Sequence, residues 1–342
     1  MHKLLISLAV LSAVSAAGHT CKTGNVVNRL VSGKPYYFPA TWNETMPAPE
    51  LAKEQTCSWT VTIPQGYYAR LIIDGTVRDK DSRFQIIDSV GNFIQTTHEE
   101  MDPYFFPPTK FTLAVSNEGV TTFGFQIQWI AHNNTETDFA FIGSLDHDLN
   151  VTSSVFCEGL GGEEGISLLA FPQNRKHPYS LRSVLVYEAP TSQQIGNFIN
   201  NLYEMYLTKK QWISNTPSIV ICNLEVSNNT DFLIVQSSIH TKNLNYVELV
   251  TVPGTTYNAT VNSEKKLSAL ISASYYNQTM TDVQMDASSV ISLYYGTPSG
   301  FTFDKNYTAT EMKSALPMEY PGGAYTVQWV LNSGEAVFTF QA

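Results

Sequence analysis

The segment Cys57-Ser-Trp-Thr-Val-Thr-Ile63 alternates without a break, with Cys57, Trp59, Val61 and Ile63 on one side and Ser58, Thr60 and Thr62 on the other. Period two marks a strand with one face in a core and one in water; a helix would scatter the same residues around its axis. Pro64-Gln65-Gly66 then reads as a turn, and the pattern resumes. Tyr67 to Ile73, Phe84 to Ile87, the Phe111/Leu113/Val115 run and Phe123/Phe125/Ile127/Trp129 follow, the last alternating with Gly124, Gln126 and Gln128. Short strands at this spacing, punctuated by Gly, Pro and Asn, predict a β-sandwich over 18–132.

A chain of 342 residues has room for a second domain. The polar stretch after His132 predicts a linker over 133–144, leaving 145–342 as one further β-rich unit. Its strands are expected at 166–171, 183–187, 218–222, 232–236, 246–252, 267–274, 290–295, 325–331 and 336–340. Ile195, Phe198, Ile199, Leu202, Met205 and Tyr206 recur at helical spacing, with Thr191 or Ser192 as N-cap, so this unit carries one amphipathic helix packed on its own sheet. A faint repeat supports a duplicated sandwich. Phe111 to Gln126 and Thr326 to Gln341 match at an offset of 215 without a gap, both ending in an Asn-x-Gly turn and a Phe-x-Phe-Gln strand. Pro64-Gln65-Gly66-Tyr67 has an echo in Pro298-Ser299-Gly300-Phe301. The expected architecture is mainly β: two sandwich units, the second with one inserted helix.

The first 17 residues read as a secretory signal peptide: Lys3, an apolar run from Leu4 to Val14, and small residues at Ser15 and Ala16. An oxidising destination makes the four cysteines two disulfides. Four cysteines allow three connectivities. Order along the chain and the domain split favour Cys21–Cys57 and Cys157–Cys222. Asn43, Asn133, Asn150, Asn228, Asn258, Asn277 and Asn306 each open an N-x-S/T sequon, mostly between apolar runs where loops belong. The expected product is a secreted, extracellular glycoprotein.

Cys57-x-Trp59-x-Val61-x-Ile63-Pro64-x-Gly66 with Leu71-x-Ile73 resembles the CUB domain pattern of a cysteine-bearing strand, a Pro-x-Gly turn and a second strand. Phe84-x-Ile86-x-Asp88, Leu113-x-Val115-Ser116-Asn117 and Gly124-Phe125…Trp129 are similar to its later strands. With one cysteine pair in the unit and a long Cys21-to-Cys57 loop, the chain resembles the secreted CUB-like domain proteins of nematodes over about 18–132. The resemblance implies a jelly-roll-like sandwich, a role in innate defence and no catalytic centre. Many CUB domains hold calcium through three acids. Here Asp79 matches one position, Ser82 and Asn117 stand at the other two, and Asp81 lies beside them. Neutral replacements lower ligand charge, so no metal or other cofactor is expected.

Other chemistries find little support. Twenty basic against 30 acidic residues, a net charge of −10, argues against nucleic acid. No apolar run beyond the leader is long enough to span a bilayer. HExxH, GxSxG and P-loop patterns are missing. Gly159 to Gly165 superficially resembles a phosphate loop, but Glu163 and Glu164 would repel phosphate. Asp146-His147-Asp148 could hold a metal or form an acid–base pair, and reads equally as a polar turn after the linker. The expected function is therefore non-enzymatic recognition or adhesion, with no catalytic residues, meeting an extracellular protein or glycan through loops on rigid sandwiches. Tyr104, Phe105 and Phe106, before Pro107-Pro108, are candidate loop aromatics whose competing reading is burial. The alternative is a secreted hydrolase whose site forms only in the fold of the second domain.

Overall fold

The computed structural model describes residues 18–132, 138–189, 195–208, 211–249, 251, 253–272, 276–322 and 326–342. The leader, Asn133, Thr191 and Ser192 lie outside them. The described residues build three sandwiches, not the expected two. The first contains β1 (Asn25–Val27), β2 (Tyr36–Phe38), β3 (Glu50–Leu51), β4 (Gln55–Thr62), β5 (Tyr67–Val77), β6 (Arg83–Ile87), β7 (Phe93–Thr96), β8 (His98–Glu100), β9 (Tyr104–Phe106), β10 (Lys110–Asn117) and β11 (Thr121–Ala131). The second contains β12 (Asp138–Phe141), β13 (His147–Asn150), β14 (Phe156–Gly161), β15 (Ile166–Phe171), β16 (Val184–Glu188), β17 (Phe198–Asn201), β18 (Gln211–Ile213), β19 (Ser218–Asn223) and β20 (Phe232–Ser237). The third contains β21 (Asn245–Leu249), β22 (Thr256–Asn262), β23 (Ser268–Ser272), β24 (Gln278–Met285), β25 (Val290–Tyr295), β26 (Phe303–Thr308), β27 (Met318–Tyr320), β28 (Val327–Leu331) and β29 (Glu335–Gln341). β12 falls inside the stretch expected as linker.

One topology recurs three times. The sheets β1-β4-β10-β6-β7 and β2-β11-β5-β8 of the first sandwich correspond to β12-β14-β19-β16-β17 and β13-β20-β15-β18, and to β21-β23-β28-β25-β26 and β22-β29-β24-β27. In each copy the opening strand pairs parallel with its neighbour: β1 with β4, β12 with β14, β21 with β23. The match between 111–126 and 326–341 thus relates the first copy to the third, with the second lying between. Phe123 and Phe125 on β11 and Phe338 and Phe340 on β29 are equivalent and buried. The ungapped offset fails at β28. Core-facing Leu113 sits opposite Trp59 and core-facing Trp329 sits opposite Leu270, so the core positions of β10 and β28 are separated by an even number, whereas those of β11 and β29 are separated by 215. A one-residue slip would turn every β28 side chain to the wrong face. The Pro-x-Gly echo is not equivalent either, since 64–66 joins β4 to β5 whereas 298–300 joins β25 to β26.

Each core is filled by the alternate positions of its two sheets. Trp59 packs with Phe38, Phe123 and Phe125 in the first, and Trp329 with Tyr320, Phe338 and Phe340 in the third. Leu160, Ile166, Leu168, Ile219, Ile221 and Val235 fill the second. Compactness divides the chain into two units, one running to Asp102 and over Phe106–His132, the other taking Pro103–Phe105 and the remainder. The second and third sandwiches therefore share a unit. Within it, Leu169, Phe171 and Ile234 of one sheet pack on Leu244, Tyr246, Ala269 and Ile271 of another. β15 and β23 are buried at every position, which is why they read as continuous apolar runs rather than alternations.

The expected helix is shorter than its pattern. Phe198–Asn201 is the edge strand β17, paired with β16, and helix α1 covers only Leu202–Thr208. Asn201 supplies the cap, its Oδ1 accepting from Glu204 N at 2.9 Å. Leu202 and Met205 enter the core, and Arg182 lies over the rings of Tyr179 and Tyr203 at 4.3 and 4.8 Å. The described residues hold two further α-helices, α2 (Ser238–Thr241) and α3 (Ala309–Ala315), and a 3-10 helix at Tyr179–Ser183. The sequence carried a signal for α3: Thr308 and Glu311 form a capping box. Both disulfides pair as expected, Cys21 with Cys57 and Cys157 with Cys222, the second between directly opposed residues of β14 and β19.

Ile271 on β23 and Thr60 on β4 are both outward positions of corresponding strands, and the two differ in environment: Ile271 is buried between two sandwiches, Thr60 is partly open. Ile271→Ala is expected to lower stability by about 2–5 kcal/mol. Thr60→Ala should cost less than about 1 kcal/mol. Denaturant unfolding of the two variants checks this, and equal losses would remove the packed face as a source of stability.

Candidate functional site

Of the candidate loop aromatics, none is on the surface. Tyr104, Phe105 and Phe106 form β9 and are buried, Phe106 stacking on Phe111 at 4.2 Å. The most exposed aromatic among the described residues is Phe301, 88% exposed, in the turn after β25. Ser299 shapes that turn, its Oγ accepting from Phe301 N. Tyr294 and Phe303 meet edge to face at 5.6 Å on the strands flanking it.

The positions aligned with a CUB calcium site do not fit the ion. Asp79 Oδ1 accepts from Asp81 N and Ser82 N at 3.0 and 2.7 Å, and Oδ2 accepts from Ser82 Oγ at 2.7 Å. These bonds, the Ser82 hydroxyl's foremost, hold Asp79 below the usual carboxylate range. Ser82 Oγ accepts in turn from Glu118 N. Asn117 is fully buried and turns its amide nitrogen to the carbonyls of Leu51 and Ala52. Donors, not ligand oxygens, surround the one matched carboxylate, and they close the Asp79–Ser82 turn on itself.

Asp146, His147 and Asp148 are not a free polar turn. His147 and Asp148 begin β13, and alternation sends the histidine one way and the acids the other. His147 Nε2 meets Glu158 Oε1 at 2.9 Å, and that hydrogen bond raises the imidazole's pKa. Asp148 Oδ1 accepts from Thr326 Oγ1 of the third sandwich at 3.1 Å. Asp146 Oδ2 is buried without a hydrogen-bond partner. Gly296, at φ +107°, lies so close to Asp146 that a Cβ would come within 2.8 Å of Oδ1. Gln328 Nε2 donates to Gly296 O and to Gln236 Oε1, closing a polar border beside the apolar face. Desolvation raises Asp146 and pushes Asp148 up to about 6, the charge of Asp146 adding to the rise. Asp148 as a residue remains exposed, so water screens part of that effect.

Elsewhere, the segment 159–165 that resembles a phosphate loop is the end of β14 and a turn, with Glu164 paired to Lys242 at 2.8 Å. Among the sequons, Asn228, Asn258, Asn277 and Asn306 are exposed, and Asn43 and Asn150 are half-buried. Asn150 Oδ1 is buried, and Asn43 Oδ1 accepts from Thr45 N and Oγ1 at 3.0 and 2.6 Å. Among the described residues no helix is long and apolar enough to cross a membrane.

Comparison with known proteins agrees with the first sandwich. Residues 16–133 match the family model of the CUB-like domain. CUB domains are extracellular binding modules. No curated protein matches the chain. Similar solved structures include the CUB1-EGF-CUB2 domain of human MASP-1/3, at 9% identity over 55% of this chain and 94% of that one, with a TM-score of 0.22. The CUB1-EGF-CUB2 domains of rat MASP-1 match at 8% identity over 64% and 100%, with a TM-score of 0.25. The full extracellular region of zebrafish Gpr126/Adgrg6 matches at 10% identity over 94% of this chain and 52% of that one, with a TM-score of 0.27.

Two outcomes are expected of this geometry. A carboxyl whose folded pKa is raised contributes stability below its ordinary range and loses it as pH rises through the folded value. Asp148 therefore stabilises the fold more at pH 5 than at pH 7.5, and His147, also raised, acts with the same sign. The melting temperature should fall by no more than about 2–4 °C across that window, and Asp148→Asn should shrink the fall. A profile that the variant leaves unchanged would refute this role for Asp148. For the Asp79 turn, millimolar calcium and excess EDTA should give the same melting temperature. A calcium-dependent rise abolished by Asp79→Ala would reverse the reading of that turn.

Proposed function

We propose that the protein is a secreted, non-enzymatic recognition or adhesion protein of innate defence, which meets an extracellular glycan or protein surface. The observation that carries this reading is the triplicated sandwich whose first copy matches the CUB-like domain, stapled by two disulfides. Rigid sandwiches hold loops at fixed positions, and a loop aromatic on such a support gives contact area at small entropic cost. Phe301 is that residue in the third sandwich. The hydrolase reading would rest on Asp146 and Asp148. One oxygen of Asp146 is shut from water and Asp148 is engaged with Thr326, which favours a structural role for both.

The test is expression with the native leader, followed by binding of the purified product to microbial glycan and extracellular-protein arrays. The expected product begins after Ala16 or Ala17, shifts on glycosidase treatment and binds a discrete set of ligands. Phe301→Ala should weaken that binding by roughly tenfold, a loss of about 1.4 kcal/mol. A product retained in the cytosol, or hydrolytic turnover lost on Asp148→Asn, would overturn the proposal.

A further inference from the structure

The three sandwiches present the same sheet face in three different ways. In the third, the outward positions of β23 are Ala269 and Ile271, buried against the second sandwich. In the second, the outward positions of β16 and β19 include Leu185, Val220 and Cys222, all buried. In the first, the outward positions of the corresponding strand β4 are Thr56, Ser58, Thr60 and Thr62. No outward position of β1, β4, β10, β6 or β7 is buried. The opposite sheet of that sandwich is covered instead: Trp42 lies so close over Gly124 that a Cβ there would come within 2.8 Å of its ring, Gln126 Nε2 donates to Glu44 Oε1, and Ala48 N donates to Asp74 Oδ2. The sequon at Asn43 belongs to that covering segment, and among the described residues no sequon falls on the open face.

The open face has a definite chemistry. Its central row runs Val26–Thr60–Thr112–Ile87–Phe93 across five strands, a width of about 19 Å at ordinary strand spacing. The next row is Ser58–Ala114–Gln85–Gln95. These side chains are held in place: Thr60 and Thr112 hydroxyls meet at 3.4 Å, Thr62 donates to Asn28 at 2.6 Å, Ser58 Oγ accepts from Gly24 N at 2.9 Å, and Gln85 donates to Gln95 at 3.2 Å. Each hydroxyl keeps further hydrogen-bonding capacity toward solvent. In a chain of net charge −10, the face bears no acid, and its two cations, Arg83 and Lys110, stand at opposite ends of the strands opposite Ser116 and Thr62. An anionic ligand would need clustered cations, and a charged one would be desolvated over an uncharged centre. A protein partner would need a desolvated apolar anchor at the middle, where this face has threonines. What complements ordered hydroxyls and amides flanked by Val26, Ile87 and Phe93 is a surface of the same kind, neutral, hydroxyl-rich and apolar on its ring faces.

We propose that the outward face of the β1-β4-β10-β6-β7 sheet binds an extended neutral polysaccharide. Fixed side chains lose little freedom on contact, so many weak hydrogen bonds add to a usable affinity. This surface lies in the first sandwich and does not depend on the Phe301 turn.

The test is co-sedimentation of the full secreted protein with insoluble chitin, cellulose and β-glucan. At least one should carry the protein into the pellet, with retention unchanged at about 0.5 M salt, where exposed charges are screened. Thr112→Glu at the centre of the face should reduce retention at least tenfold, while Val226→Asp, an exposed position in the second sandwich, should not. If Thr112→Glu melts below the wild type, Gln85→Glu with Gln95→Glu carries the test at the edge. Failure of all three polysaccharides, unchanged retention in the face variants, or retention abolished by salt would each overturn the proposal. So would sedimentation analysis showing a dimer that Thr112→Glu dissociates, which would give the face to a second copy. Array binding that survives the face variants and is lost with Phe301→Ala would leave the recognition reading standing without this one.

Discussion

The contact between the second and third sandwiches is the interaction on which the largest part of the structure depends. A sheet with both faces apolar cannot stand in water on one side, so β15, β20 and β23 require a partner on each. Their inner faces fill their own cores, and their outer faces meet through Phe171, Ile234, Ala269 and Ile271. Several polar groups along that contact find partners across it. Thr326 serves Asp148, Gln328 serves Gln236, and Arg175 reaches Glu248 at 3.6 Å. Desolvation along the same border is the main cause of the raised carboxyls at 146 and 148.

This contact also decides what could be read from sequence. Strands with one wet face announce themselves by alternation, and β4, β10 and β11 were legible for that reason. Strands with two dry faces keep no period, so 166–171 and 267–274 were recognisable as strands while the boundary between their sandwiches was not. The repeat was legible at Phe338 and Phe340 because those positions face a core in both copies, and it failed at β28 because an odd offset puts the core positions of β10 on the wrong face there. The helical stripe at 195–206 combined an edge strand with a helix that begins only after Asn201, since Phe198 and Ile199 could serve either period. Edge strands of three residues, such as β1 and β2, hold too few positions to show a pattern at all.

The site was less legible than the fold. Cysteine pairing followed from order along the chain, and the weakness of the calcium position followed from Ser82 and Asn117. Whether 104–106 would be a loop or a strand depended on what lay beneath it, which local sequence does not carry. The polarity of Ser58, Thr60 and Thr62 was visible from the start, but a polar outer row is what any half-buried strand shows. Its meaning emerges only by comparison with the other two copies.

Three copies of one topology are a controlled comparison within a single chain. Cores diverge little in kind, because each must fill the space between two sheets with large apolar side chains. Outer faces are free to diverge, and here they do: Ala269 and Ile271 on β23 against Ser58 and Thr60 on the corresponding strand β4. Apolar residues at those positions commit a copy to standing against a neighbour. Hydroxyls at the corresponding outward positions forgo that contact, and no outward position of the strands that carry them is buried. A protein that needs the first face only as an outer wall could fill it with charged residues at no loss of solubility, yet its centre has none. The absence of charge from the ordered centre of that face is therefore a feature that the packing of its strands does not require, and the proposed contact with a neutral polysaccharide accounts for it.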